Sequence, residues 1–217
     1  LGLAKGLIES NQASNVLIIT SETYSKFINK RDKSVRTLFG DAAACTLVSS
    51  SNGGEKTISQ ITHGTDGSGG DHLIVPDGGM RSPISKDSFT EFMDESNNVR
   101  SAANLYMNGS AILTFTLSKI PGVFQSILKK NNVTSEDIDL VVFHQANKSM
   151  LDRLQKKLKI PDKKMHRSYE NFGNTVSSTI PIGLKLEMDK RENSKVITAL
   201  ILGFGVGLSW AGTIIKF

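Results

Sequence analysis

Residues 138–147 read Ile-Asp-Leu-Val-Val-Phe-His-Gln-Ala-Asn, a short apolar run that ends directly before a polar tetrapeptide. The run from 138 to 143 predicts a buried strand, and residues 147–159 have the periodicity of an amphipathic helix. In open α/β sheets, ligand sites lie at the carboxyl ends of strands. His144 follows such an end, so it is a candidate functional residue, even though a lone histidine is more often structural.

Apolar runs and helical patterns alternate in both directions from this stretch. The short β-branched run at 16–20 and the run at 138–143 predict strands that are buried on both faces. Strands interleaved with helices predict an α/β fold with a mixed sheet. The predicted strands cover residues 16–20, 39–49, 57–64, 138–143, 196–202 and 208–216. The predicted helices cover residues 1–9, 104–130, 147–159 and 175–190, with a further short helix opening at residue 134.

The composition indicates a chain with a sizeable core and no disulfide framework. Of 217 residues, 38% are apolar, and Cys45 is the single cysteine. The four histidines do not have the spacing of metal ligands, so no metal site is predicted. No stretch approaches the roughly 20 consecutive apolar residues that a membrane span needs. We therefore expect a globular protein of the cytoplasm without a membrane segment.

The formal net charge of +5 is modest. Lys156, Lys157 and Lys159 fall in a helical pattern, where a solvated helix face is the ordinary interpretation. A docking patch for an acidic partner is the alternative, because a basic surface accelerates encounters with anions. No zinc finger, RNA-binding signature or aromatic-interleaved basic stripe accompanies the charge. A nucleic-acid partner is therefore not expected.

The stretch from 64 to 98 is rich in glycine and proline. A domain boundary is expected near such a stretch. A long loop is uncommon unless it has a function, so a lid or a substrate-tunnel segment is an alternative interpretation.

Two further motifs contain candidate functional groups. Asn174 follows Gly173 and can either cap the helix that follows or direct its amide NH₂ at a substrate oxygen. The run Gly203-Phe-Gly-Val-Gly207 lies between two predicted strands, so it is not a dinucleotide fingerprint. A turn of this kind is either a plain hairpin connection or a source of backbone N–H groups that converge on a developing negative charge.

Together these motifs resemble the C-terminal half of the β-ketoacyl-acyl-carrier-protein synthase III family, within the thiolase superfamily. The spacing of thirty residues between His144 and Asn174 (174 − 144) agrees with that family. The resemblance covers nearly the whole chain in order. It rests on Phe143-His-Gln-Ala-Asn147, Phe172-Gly-Asn-Thr175, Gly203-Phe-Gly-Val-Gly-Leu-Ser-Trp210, Phe39-Gly-Asp41 and Thr65-Asp-Gly-Ser-Gly69.

The resemblance implies a decarboxylating condensing enzyme of fatty-acid or related biosynthesis. A cysteine would accept an acyl group from acyl-CoA, and His144 and Asn174 would hold the thioester carbonyl of malonyl-acyl-carrier protein. The active-site loop would contain Phe204, Gly205 and Val206, with the Val206 N–H as an oxyanion donor. These substrates are transient, and no permanently bound cofactor is implied.

The resemblance also implies partners and an architecture. The acyl carrier protein would dock on Ala146, Asn147, Lys148 and Arg153, although Ser149 stands where relatives often carry an arginine. The fold would be thiolase-like, with two duplicated halves in five α/β/α/β/α layers, and the chain would form a homodimer. Residues 1–80 would complete the first half, and residues 81–217 would form the second.

The catalytic cysteine is the missing part of this constellation. Cys45 lies in Ala42-Ala-Ala-Cys-Thr46, where the family has small residues in a buried strand. We therefore interpret it as a packed residue and expect the nucleophile a turn or two before Leu1. On this interpretation, the chain alone cannot be acylated.

Three alternatives remain open at this stage. Type III polyketide synthases and hydroxymethylglutaryl-CoA synthase also use cysteine and histidine on this fold, although the Gly203–Trp210 run favours the synthase III group. A non-catalytic fragment that completes a dimer or docks a carrier protein is the third.

Overall fold

The computed structural model describes residues 1–51, 53–54, 57–190 and 196–217. The helices are α1 Gly2–Glu9, α2 Lys33–Arg36, α3 Gly109–Lys130, α4 Lys148–Leu158, α5 Tyr169–Phe172 and α6 Thr179–Asp189. The strands are β1 Asn15–Glu22, β2 Ala42–Ser49, β3 Thr57–Ile58, β4 Thr62–Thr65, β5 Leu73–Ile74, β6 Phe92–Met93, β7 Val99–Arg100, β8 Tyr106–Met107, β9 Leu140–Phe143, β10 Thr198–Gly205 and β11 Ser209–Lys216. Short 3₁₀ helices cover Tyr24–Phe27, Gly67–His72, Asp87–Phe89, Asp162–Lys164 and Val176–Ser178.

A five-stranded mixed sheet forms around the hairpin of β10 and β11. Strand β9 pairs parallel with β10, and β3 and β4 both pair antiparallel with β11. The mixed sheet that the sequence predicts is therefore confirmed. Because β3 and β4 already belong to this sheet, the chain has left the sheet of β1 and β2 well before residue 80. The division into halves at that residue stays a prediction.

The elements stack in successive layers. Helices α3 and α4 pack against each other on one face of the five-stranded sheet. Helix α6 packs on the opposite face, against β9 and β10, and also contacts β2 of a second, antiparallel sheet made of β1 and β2. The described residues thus form an α/β/α/β stack, which is four of the five layers that the resemblance implies.

The main core lies between α3, α4 and the five-stranded sheet. Ile120, Phe124 and Ile127 recur on one helical face of α3 and are almost fully buried. By length and composition α3 is the one described helix that could cross a membrane. In this fold the apolar face of α3 points into the core. A core helix needs the same apolar residues as a membrane-spanning one, so its composition alone does not distinguish the two.

Several element boundaries differ from the predicted ones. Helix α3 begins at Gly109 and not at 104, because β8 pairs with β5 and the Asn108 side chain then accepts from the Ala111 N–H (3.0 Å). The helix expected at 134 is a turn, in which Asp137 accepts from the Thr134 N–H and hydroxyl (both 2.8 Å). The capping arrangement is therefore present, but the chain enters β9 within a few residues.

The sheet of β1 and β2 is covered on one face only. Its side chains alternate in exposure, and Leu17, Ile19 and Leu47 are 58%, 64% and 65% exposed. Cys45 lies on the same face and is exposed. The expectation of a strand buried on both faces, with Cys45 packed inside, is therefore wrong for this chain. An apolar run does not by itself distinguish one covered face from two.

A buried ion network joins two segments that are distant in sequence. Asp32, which is fully buried, caps α2 by accepting from the Ser34 N–H (2.9 Å) and also accepts from Nε of Arg100 (2.8 Å). Arg100 donates in addition to Asp94 (2.6 Å), and its guanidinium stands 5.3 Å from the centroid of the Tyr106 ring. The network fixes the β6–β7 hairpin, at the end of the glycine-rich region, against the segment that leads to Phe39.

Candidate active site

His144 is held at the carboxyl end of β9 by its backbone. Its N–H donates to the Leu202 carbonyl (3.0 Å), which extends the parallel pairing of β9 with β10 by one residue. The Phe204 ring meets the imidazole edge-on, with 5.7 Å between the ring centroids. The Thr179 hydroxyl oxygen lies 2.8 Å from Nδ1. The ring is thus fixed on two sides.

Gln145 stabilises the same strand end from inside the protein. Its buried side chain donates from Nε2 to the Phe143 carbonyl (2.8 Å) and accepts from the Ser168 N–H (2.9 Å). Both ends of the carboxamide are therefore satisfied, as buried polar groups require. Gln145 thus has a structural role beside His144.

Asn174 is fixed by a short backbone ladder with a segment far away in sequence. Its N–H donates to the Leu38 carbonyl (2.8 Å), and its carbonyl accepts from the Gly40 N–H (3.0 Å). A side chain at Gly40 would overlap the Phe172 carbonyl, and Gly173 has φ of +66° with no room for a Cβ beside the Leu38 carbonyl. The Phe39-Gly-Asp and Phe172-Gly-Asn motifs therefore form one structural unit.

The side chain of Asn174 has a defined orientation. Its Oδ1 accepts from the Val176 N–H (2.9 Å), which opens the 3₁₀ turn Val176–Ser178. The N-cap position of α6 itself belongs to Ser178, but the contact of Asn174 with the Val176 N–H lies at the start of the helical segment that the sequence predicts at 175–190. Within the described part of the chain, Nδ2 has no hydrogen-bond partner. The amide NH₂ is thus available to a ligand.

A pocket of about 480 Å³ brings His144 and Asn174 together. Phe204, Gly205 and Val206 also line it, so the sequence-predicted loop is present there. Phe204 and Gly205 are the last residues of β10, and only Val206 belongs to the turn. Further lining residues, none of which was predicted as a site residue, come from six separate segments: Tyr24, Phe39, His63, Leu73, Val176, Thr179, Ile180 and Trp210.

The turn after Val206 is anchored to the Thr65-Asp-Gly-Ser-Gly69 motif. Asp66 and Leu208 exchange two backbone hydrogen bonds, of 2.6 and 2.7 Å. Gly69 packs against the Leu208 side chain, where a Cβ would overlap it. The motif therefore positions one wall of the pocket.

The residues proposed for carrier-protein docking lie outside the pocket lining. Asn147 caps α4 by accepting from the Met150 N–H (2.9 Å), and Lys148 is paired with Asp152 (2.6 Å) on the surface. Arg153 is exposed, and Ala146 is half-buried. The docking role of these four residues stays a prediction.

The environment of His144 favours the neutral imidazole. Removal from water lowers the pKa of His144 to about 4, and the Val176 carbonyl beside the ring opposes this shift. A second histidine, His166, is buried against Glu187 (2.8 Å between Nδ1 and Oε1), and its pKa is also lowered, mainly by burial. At neutral pH, His144 is thus uncharged.

The lowered pKa of His144 predicts a loss of stability in mild acid. Between pH 6.5, its ordinary pKa, and about 4, the unfolded chain binds a proton that the folded chain does not. Stability therefore falls as the pH falls through this window. From pH 7 to pH 5, the parent protein should lose about 2 kcal/mol more than a His144→Gln variant. Urea unfolding at the two pH values measures this. His166 is present in both proteins and cancels, so equal losses would contradict the prediction.

Neither a cysteine nor a metal-ligand cluster accompanies the pocket in the described ranges. Cys45 lies on the exposed face of β2 and is not a lining residue. Among the residues whose positions are described, no three His, Cys, Asp or Glu side chains are placed to hold a metal ion. The polar groups that line the pocket include the His144 imidazole and the Asn174 amide, and both can donate hydrogen bonds to a ligand.

The fold and the pocket together define a thiolase-like α/β protein, with helices between two sheets and one pocket lined by a histidine at a strand end and by an asparagine in an isolated bridge. Solved structures agree. The chain matches a crystal structure of 3-oxoacyl-(acyl-carrier-protein) synthase III with a TM-score of 0.96 and 45% identity, over 100% of this chain and 64% of that chain. A 3-oxoacyl-(acyl-carrier protein) synthase from Burkholderia xenovorans LB400 matches with a TM-score of 0.88 and 33% identity, over 99% of this chain and 59% of that chain.

The sequence comparison agrees with the structural one. Residues 1–67 match the family described as 3-oxoacyl-[acyl-carrier-protein (ACP)] synthase III, and residues 128–217 match its C-terminal region. A β-ketoacyl-[acyl-carrier-protein] synthase III of Clostridium perfringens (strain ATCC 13124) is 35% identical over 216 residues. The chain belongs to the 3-oxoacyl-[acyl-carrier-protein] synthase III family. That alignment covers the whole of this chain but only 63% of the length of the relative.

Proposed function

We propose that this chain supplies the histidine and asparagine of a synthase that condenses an acyl thioester with malonyl-acyl-carrier protein in fatty-acid biosynthesis. The observation that carries the proposal is the shared pocket, which His144 and Asn174 both line. The Asn174 oxygen already accepts from the Val176 N–H, whereas the NH₂ group remains free to donate to a ligand. The names of the relatives support the reaction class.

In the proposed reaction, loss of CO₂ breaks a carbon–carbon bond of the malonyl group and leaves its electron pair in an enolate. The negative charge develops on the thioester oxygen, where Nε2–H of His144 and the Asn174 NH₂ would stabilise it. A neutral imidazole suits this role, because it donates one hydrogen bond without carrying a permanent charge. The enolate carbon then attacks the acyl thioester, and the thiolate leaves.

The acyl group would be carried by a cysteine before Leu1, and acyl-CoA would be its donor. Cys45 is unsuited to this role because it lies outside the pocket. Because Cys45 is exposed, burial does not prevent its acylation. The expectation that the chain alone is not acylated therefore depends only on the location of Cys45 outside the pocket. Neither the acyl-CoA nor the malonyl substrate is a bound cofactor in this scheme.

The other parts of the proposal concern partners and place of action. Acyl carrier protein would dock on Ala146, Asn147, Lys148 and Arg153, which lie directly before α4 and in its first half. The protein would act in the cytoplasm as a homodimer, with the segments near Val16 and residues 39–47 at the interface. The five-layered fold would be completed by helices that pack on the exposed face of the β1–β2 sheet.

The test is product formation by the full-length protein from acyl-CoA and malonyl-acyl-carrier protein. Mass spectrometry should detect the 3-oxoacyl-carrier protein, with one CO₂ released for each condensation. A Cys45→Ser variant is the matched control and should keep the rate within about twofold, because the thiol is outside the pocket. Carrier-protein binding without product would favour a docking subunit. Loss of activity in Cys45→Ser would show that the assignment of the nucleophile to a cysteine before Leu1 is wrong.

A further inference from the structure

The Thr179 hydroxyl lies close to two possible acceptors, Nδ1 of His144 and the Val176 carbonyl oxygen, but it has only one proton to donate. Its oxygen lies 2.8 Å from Nδ1 of His144 and 2.9 Å from the Val176 carbonyl oxygen. Thr179 is the first residue of α6 and is buried. The direction of one hydroxyl proton therefore decides which nitrogen of His144 carries hydrogen.

Two arrangements are chemically possible. If the hydroxyl donates to the Val176 carbonyl, its oxygen must accept from Nδ1–H, and Nε2 of His144 is an unprotonated acceptor. If the hydroxyl donates to Nδ1, the imidazole proton lies on Nε2, and the ring presents a donor to the pocket. Only the second arrangement provides the enolate-stabilising hydrogen bond.

The second histidine of the core provides a comparison within the same chain. Nδ1 of His166 faces the Glu187 carboxylate, which can only accept and therefore holds the proton on Nδ1. In the described part of the chain, no carboxylate bonds either nitrogen of His144. A hydroxyl at this position, unlike a carboxylate, can donate to Nδ1.

We propose that Thr179 is a positioning residue that donates its hydroxyl proton to Nδ1 of His144 and so holds the imidazole as the Nε2–H tautomer. The proposal rests on the proposed function, since it assigns the tautomer which that reaction needs. Without the hydroxyl, the Val176 carbonyl is the polar group left beside the ring. A carbonyl can only accept, so it would favour the proton on Nδ1.

The experiment compares Thr179→Val, which removes the hydroxyl at nearly constant shape, with Thr179→Ser, which keeps it. Thr116→Val is the matched control, because Thr116 is also fully buried and its hydroxyl donates to the Ile112 carbonyl (2.8 Å) within α3, outside the pocket lining. ¹⁵N NMR of the imidazole nitrogens reports the tautomer without any substrate. CO₂ release from malonyl-acyl-carrier protein reports the consequence for the reaction.

The parent protein, Thr179→Ser and Thr116→Val should all show Nε2–H, and Thr179→Val should show Nδ1–H. Decarboxylation by Thr179→Val should fall roughly a hundredfold or more, as for loss of one oxyanion donor. Nδ1–H in the parent protein, or an unchanged tautomer in Thr179→Val, would overturn the proposal. If the tautomers behave as expected but the parent protein releases no CO₂, the proposed function fails and the Thr179 assignment stands.

Discussion

Asn174→Asp should lower CO₂ release from malonyl-acyl-carrier protein by roughly a hundredfold to a thousandfold while the protein stays folded. The reason is that a carboxylate keeps the oxygen that accepts from the Val176 N–H and replaces only the NH₂. The structural contact is thus conserved and the donor is lost. Loss of one preorganised donor to a developing oxyanion typically costs about 2.7–4 kcal/mol of activation free energy.

Two further variants separate donation from folding. Asn174→Ala removes the turn contact as well as the donor, so it should lose stability that Asn174→Asp retains. His144→Ala should impair decarboxylation to a similar extent. Neither change should prevent transfer of a labelled acetyl group from acetyl-CoA to the enzyme, because that step depends on the thiolate and on backbone N–H groups. CO₂ release at the parent rate by a folded Asn174→Asp protein would exclude a catalytic role for this residue.

The buried ion network predicts the largest loss of stability. Asp32→Asn should reduce the free energy of unfolding by about 3–5 kcal/mol, because removal of one partner leaves the Arg100 charge incompletely compensated in the interior. Asparagine is as good an N-cap as aspartate, so the contact with the Ser34 N–H is conserved. The variant therefore isolates the ion pair from the cap. Urea unfolding at neutral pH measures the difference.

Asp94→Asn is the matched control for this prediction. The replacement is chemically identical and also removes a partner of Arg100, but the Asp94 side chain is 28% exposed while that of Asp32 is fully buried. The loss of stability should therefore be much smaller in Asp94→Asn, since water screens the partner. Equal losses in the two variants would mean that burial is not the source of the effect.

The elements next to His144 were predictable because their signals are local. The apolar run at β9 and the capping Asn147 lie within a few residues of the structures that they determine. The family was predictable from motif order, and the comparisons confirm it. That the pocket unites His144 with Asn174 agrees with the expectation, whereas their catalytic roles stay a prediction.

What the sequence did not indicate depends on contacts between distant segments. Neither Asp32 nor Arg100 has a neighbour in sequence that predicts a buried ion pair 68 residues apart. Thr179 gave no signal because its importance arises only when α6 packs beside β9. The exposed face of the β1–β2 sheet was missed for a related reason, since an apolar run records hydrophobicity but not the number of layers around it.

The backbone ladder between Leu38–Gly40 and Asn174 also has a consequence for the order of folding. The bridge between Phe39 and Asn174 closes a loop of 135 residues (174 − 39). Contacts of such high sequence separation are slow to form, because the entropy of loop closure must be overcome before they contribute. A partly folded chain can contain the sheet of β9, β10 and β11, with His144 in place, and still lack a positioned Asn174. We therefore expect catalytic competence to require the docking of the two sheets, and not only the fold of the sheet that positions His144.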